Sequence, residues 1–529
     1  MTSTRSRTRL ALASAALLAL PVITGAVGYV QAAPGVFTGP VPRADCGPGS
    51  LPETGMQGRV SPAELASGRA AKGYTCNLTE VGHFASRAGW KVDRYGDCAY
   101  YNSEPGGTAL AAFTNQNPGT HVLDVSDPTK PVQTDYLRTP AMQSPHETMA
   151  IHAERGLLVA VLSTLATAPG VLEVWDVKAD CQHPTLLSSL PSALLGHEGN
   201  FSADGLTFYT GSLYAQTLTA VDLTNPLAPT LIAVENVQSH GMSTNPDGTR
   251  LYDTVRGDAT AGLLVYDTSE IQARKAGAEF KLISRLTWPE KSTPQFAMHV
   301  TIKGKPYVIE TDEFGGTPPD GGGAIGTIGA ARIIDISDEQ APKVVSNLRL
   351  EVHMPASQPL FAAEGDPKPF LGGPYTGHYC SVPSPVDPGI VACSMLRSGV
   401  RVFDIRDPLQ PRELAYFNAP GSPGLDGTAG AGGFGAGADV EFVPERGEMW
   451  LTGEETGFHV VRFTNGVWPF PKAGPPRGAA SLAPAPEPAP VVPRPLPATG
   501  LPEGLAVGSA LVFALAVTAA ATRADRRRT

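Results

Sequence analysis

One sentence of residues, repeated with variations, constrains this chain more than anything else in it. An apolar strand ends in Asp, an apolar residue follows, then a short turn often holding Pro, then another strand. The clearest copies are HVLDVSDPTKPVQTDYL from His121, LTAVDLTNPLAPTLIAV from Leu218, ARIIDISDEQAPKVVSNL from Ala331 and VRVFDIRDPLQPRELAYF from Val400. Weaker copies start at Val171 and Leu263, and a last one, FHVVRFTNGVWP from Phe458, carries Arg462 where Asp should stand. The aspartates are Asp124, Asp176, Asp222, Asp267, Asp335 and Asp404, at intervals of 45 to 69 residues. That period matches four-stranded blades with insertions, the spacing of a β-propeller.

Composition agrees. Gly 58 and Pro 50 in 529 residues place a breaker about every fifth position, which leaves little room for long helices. An apolar share of 42% still allows a sizeable core, so the chain reads as all-β with many short strands and tight turns.

The repeats resemble the LVIVD repeat of bacterial and archaeal surface proteins, and the likeness spans roughly residues 78–470. It implies a β-propeller and says almost nothing of function. Seven copies imply seven blades. The seventh lacks a fourth strand, and the segment from Asn77 to Phe84 before the first blade reads as the missing one, so a seven-bladed β-propeller with its N-terminal strand closing the last blade is expected over 77–468.

The ends read differently. Residues 1–32 carry Arg5, Arg7 and Arg9, an apolar run from Leu10 to Val30 and a small-residue exit near Ala32, the pattern of a secretory signal peptide. Residues 33–76 read as an irregular, Gly/Pro-rich N-terminal segment. Residues 469–495 hold ten prolines and form an extended wall-spanning linker. The stretch 496–529 starts with Leu496, Pro497, Ala498, Thr499 and Gly500. A hydrophobic span, 505–521, follows, and then the basic tail Arg523, Arg526, Arg527 and Arg528. Together these resemble the LPXTG sorting signal of sortase substrates in Gram-positive, actinobacterial-like surface proteins. The resemblance implies a transient membrane contact through 505–521, cleavage after Thr499, and sortase and peptidoglycan as partners, with the protein covalently anchored at the cell wall. A second match, Leu51 to Gly55, has no span or basic tail behind it and reads as coincidence.

The leader contributes three arginines without an acid, and the part beyond Thr499 four arginines against two acids. Trimming both moves the net charge from −10 to −15. So acidic a chain is a poor nucleic-acid binder, which excludes that class. Six cysteines without a Cys-x-x-Cys in an exported chain read as disulfides. Cys380 and Cys393 flank a hairpin turn and pair across it, and Cys46–Cys76 with Cys98–Cys181 is one of the pairings left for the other four.

A histidine recurs in register. The innermost strands open with His146, His197, His240, His299 and His378, with Asp439 in blade seven and Trp90 in blade one. Only 11 histidines exist in the chain, so five in one register is far from chance. One reading has the imidazoles converge on the channel axis and bind a divalent transition metal (Zn, Cu, Fe or Mn), with Asp439 completing the set and Glu147 and Glu198 orienting it. This reading makes a metal-dependent enzyme. The other has structural histidines, as in the Gly-His of WD repeats, which Gly196-His197 and Gly377-His378 resemble, and makes a non-catalytic surface binding or adhesion propeller. Loops on the histidine side are long (315–330, 353–377, 419–438), and Asp312, Glu313, Glu454 and Glu455 end second strands there.

Overall fold

A computed structural model describes residues 29–31, 39–103, 118–162, 170–192, 196–213, 215–256, 261–288, 292–315, 329–364, 366, 375–420, 439–453 and 456–470. Most of the expected leader, nearly all of the Pro-rich linker, the sorting signal, Glu454 and Glu455 lie outside these residues.

Seven four-stranded antiparallel blades follow one another along the chain, and Tyr29–Gln31, within the expected leader, adds in parallel to the outer strand Lys281–Thr287 of blade four. The third strand of each of the first six blades ends on the repeat aspartate: Thr120–Asp124, Gly170–Asp176, Thr217–Asp222, Gly262–Asp267, Ala331–Asp335 and Val400–Asp404. Each carboxylate then accepts the backbone N–H two residues on, as Asp124 does from Ser126 (2.8 Å), Asp176 from Lys178 (2.7 Å) and Asp335 from Ser337 (2.8 Å). The repeat therefore has a physical cause. A side chain that folds back on its own backbone starts the turn into the fourth strand. Each pairing of third and fourth strands also slips by one residue at the same place, for example between Val122 and Leu123, Val265 and Tyr266, and Val402 and Phe403. These bulges sharpen the twist of the outer strand and blunt the edge for further pairing.

Both faces of every blade are covered. In Leu157–Val161, Leu158 and Ala160 pack toward blade one, while Leu157, Val159 and Val161 pack toward blade three. The period-two alternation of a strand thus divides its apolar residues between two neighbours, which is why such strands read as unbroken hydrophobic runs. Seven apolar layers result among the described residues, one in each gap between blades.

The ring closes as the repeat count implies. Blade seven consists of Glu441–Val443, Glu448–Gly453, Gly457–Phe463 and, on its outside, Leu78–Phe84. Just before that strand, Tyr74–Cys76 adds to the edge of blade six beside Arg412–Asn418. Asn77 makes the step between the two blades with φ 56°. Its amide donates to the carbonyls of Asp45 (2.9 Å) and Leu414 (2.8 Å) and accepts from Gly47 N (2.9 Å). Asn tolerates this left-handed conformation better than most residues, because its side chain bonds locally.

All three disulfides form: Cys46–Cys76, Cys98–Cys181 and Cys380–Cys393. The first ties the N-terminal segment to the closing step, and the second links blade one to blade two. Leu51 to Gly55 belongs to this folded segment. Leu51 pairs with Thr75, and Glu53 forms an ion pair with the fully buried Arg401.

At Gly82, next to the bulge of the closing strand, a Cβ would stand 1.9 Å from the Pro128 carbonyl oxygen of blade one. G82A is therefore expected to destabilise the protein by about 1–3 kcal/mol in urea unfolding. Deleting 77–84 should abolish the cooperative transition altogether, since every gap between blades depends on an intact ring.

Candidate metal centre

Each inner strand starts at the same mouth of the ring, so the residues just before it line the axis. Glycines permit the close approach. A Cβ on Gly196 would meet Thr148 Cγ2 at 2.7 Å, and one on Gly377 would meet Thr311 Cγ2 at 2.9 Å. His197 and His378 follow these glycines. His146 sits in a turn closed by Thr148 N–H to Pro145 O (2.9 Å) and has φ 50°, a conformation that costs energy and gathers at functional sites.

Four of the five histidines in register meet. The Nε2 atoms of His378, His197, His146 and His240 stand 3.0, 3.2, 3.8 and 3.8 Å from the carboxylate oxygens of Glu147. Adjacent rings touch, His146 edge-on to His197 at 4.7 Å and His197 tilted against His240 at 4.8 Å between centroids. Glu313, at the end of the second strand of blade five, faces His240 at 3.8 Å and His378 at 4.0 Å. The side chains that remain accessible are those of His146 (19%), Glu313 (14%) and His197 (11%), so the cluster opens on that side.

The electrostatics set the members of the cluster apart. Burial works to raise the Glu147 pKa, but the imidazoles of His146, His197 and His378 outweigh it and hold the carboxyl well below its usual range. Burial first, and then His197, push the His240 pKa well down, so this ring is neutral. Its Nδ1–H donates to the Pro294 carbonyl (2.7 Å), which fixes the tautomer. The Nε2 lone pair then faces the cluster without a hydrogen-bond partner among the described residues. His146, Glu147 and His197 each offer a ligand atom within 4.8 Å of the others, and this group could hold a metal ion.

Three expected positions differ. His299 is not in the cluster. The inner strand of blade five begins at Ser292, earlier than the sequence suggests, and His299 lies four residues before the Lys303–Gly304 turn, with its ring stacked on Tyr252 at 5.5 Å. Gln295 holds the register instead, and its Nε2 donates to Glu147 (2.8 Å) and to the Tyr379 hydroxyl (3.0 Å). Distance to the hairpin turn argues against His299, which stands four residues before Lys303 where His146 stands seven before its own turn at Ala153. Gln295 stands eight before Lys303 and comes into register through the irregular pairing at Pro294 and Phe296. Asp439 does not join the imidazoles either. It accepts Val92 N–H (2.8 Å) and lies 3.6 Å from Lys91 Nζ. Glu147 is not an outer residue supporting the ligands but the centre on which they converge.

Glu198 stays in a supporting layer beneath. It pairs with Lys91 (3.0 Å) and accepts the Tyr379 hydroxyl, and Tyr379 in turn connects through Gln295 to Glu147. Burial pushes the Glu198 pKa up to about 8 against the pull of Lys91, with Glu147 adding to the rise. Lys91 also lies 4.5 Å over the Tyr379 ring. Buried Lys91, Glu198, Gln295 and Tyr379 fill the axis below the imidazoles.

No known protein family matches the chain, and no curated protein matches it. Similar solved structures include Kuenenia stuttgartiensis hydrazine synthase (12% identity, 73% of this chain, 97% of that one, TM-score 0.47) and a protein from Lactobacillus plantarum (10%, 63% and 89%, TM-score 0.42). A chain of a mitotic checkpoint complex is similar at the same level (10%, 73% and 94%, TM-score 0.42). Likeness at this level carries nothing about function, and the blade count rests on this chain's own strands.

Next to His240, Ser239 Oγ donates to Asp253 Oδ1 (2.8 Å), while Asp253 Oδ2 has no hydrogen-bond partner among the described residues. Burial pushes this carboxyl well above its ordinary range. An acid raised in the folded state contributes its full stability below the unfolded pKa and loses it as pH rises through the folded value. D253N does not titrate, so its stability relative to wild type should grow between pH 4 and pH 8, by about 1.4 kcal/mol per unit of elevation. Denaturation midpoints at the two pH values measure this.

Proposed function

We propose that this chain is an exported, wall-anchored propeller that works as a metal-dependent enzyme, with one divalent transition ion held by His146, His197, His240, His378 and Glu147. The observation that carries the reading is the convergence of four imidazoles, from blades two, three, four and six, on one buried carboxylate held in its charged form. The His240 lone pair strengthens it, since a buried acceptor without a donor costs stability unless an ion takes it.

Bound there, the ion would supply Lewis acidity, or electron transfer if it is iron or copper. The chain's own residues do the rest. The Pro294 carbonyl aims His240, and Gln295 aims Glu147 while linking it to Tyr379. The layer around Lys91 closes the axis below, so a substrate reaches the ion from the side of His146, His197 and Glu313. Export is supported by the leader and by three disulfides with no free cysteine among the described residues. Anchoring is supported by the sequence from Leu496 to Arg528.

Untagged protein analysed by inductively coupled plasma mass spectrometry should carry one metal equivalent per chain. H197A and H240A should each lower metal affinity at least tenfold, and H299A should leave it unchanged. Protein without stoichiometric metal, or with metal retained in H197A and H240A, would overturn the enzyme reading and leave a binding propeller with structural histidines. T499A should move the protein from the cell-wall fraction to the membrane and medium.

A further inference from the structure

Arg256 follows the second strand of blade four, Arg250–Val255, and continues its ladder, with its N–H donating to the Gln238 carbonyl (3.2 Å), two residues from His240. Side-chain direction follows from Thr254, two positions earlier on the same face, whose hydroxyl donates to the Gln295 carbonyl (2.9 Å). Arg256 therefore points toward the seam of blades four and five at the open rim, where Glu313 stands. Its charge is felt at both His240 and Glu313. Partly buried arginines elsewhere in the ring are paired, as Arg250 is with Glu339 (2.7 Å) and Arg274 with Asp222 (3.3 Å). The Arg256 guanidinium forms no hydrogen bond or ion pair with the described residues, although it is partly buried.

We propose that Arg256 is the specificity residue of the centre and binds the carboxylate of a monoanionic substrate whose reacting end lies over the imidazoles. A guanidinium fork matches a carboxylate bidentately. A single cation beside the charged Glu147 favours one negative charge over the two of a phosphate monoester. The proposal rests on reading the cluster as a metal centre, and its test separates the two.

Benzoate and benzamide are alike in shape and differ in charge, and calorimetric titration of both into zinc-loaded and metal-free protein serves as the probe. Benzoate should bind the loaded protein at least tenfold more tightly than benzamide. R256Q should erase that preference, and R256K should keep part of it, with zinc stoichiometry and thermal midpoint unchanged in both. Equal benzoate affinity in R256Q, or no benzoate binding to either form, overturns the role of Arg256. Failure to take up zinc overturns the metal centre instead, while benzoate binding to metal-free protein that R256Q abolishes would still support Arg256.

Discussion

The ladder between Leu78–Phe84 and Gly457–Phe463 is the contact on which everything else depends. No blade has a core of its own. Each buries one face against the blade before it and one against the blade after, so an open array would leave two apolar faces and a strand edge in water. Closure joins residues almost four hundred positions apart, and Asn77 supplies the local means by stepping the chain from blade six to blade seven.

The candidate site is a product of the same geometry. Seven inner strands that start at one mouth bring seven sequence-distant positions to one axis, and side chains placed there have only each other and the channel to meet. His240 and Glu147 show the consequence. Taken out of water, the imidazole loses its proton affinity and the carboxyl would lose its charge, yet the surrounding imidazoles keep Glu147 ionised. A neutral imidazole nitrogen and an anionic carboxylate thus coexist in one buried space. The layer of Lys91, Glu198, Tyr379 and Gln295 beneath is linked to Glu147 by hydrogen bonds and gives the site a floor.

Much of this is legible in the chain itself, and the errors are informative. The repeat aspartates are visible because a turn-forming side chain acts on its own backbone two residues away, which is a local effect. The pairing of Cys380 with Cys393 is visible for the same reason. His299 misleads because register was read from residue type instead of distance to the hairpin turn. Gln295 is missed because a glutamine in an apolar strand carries no chemical signal until its neighbours are known. Asp439 holds the right register but meets Lys91, a residue of another blade, before it can meet the imidazoles.

The sequence by itself determined the blade, the number of blades and the identity of the closing strand, because turn chemistry and alternation act over a few residues and repeat. Tertiary structure alone decided that Glu147 is the centre of the cluster, that His299 is outside it, and that Arg256 stands at its rim. Those outcomes depend on which side chains from different blades face one another across the axis. Convergence of that kind is set by the closure of the ring and leaves no mark in any one stretch of sequence.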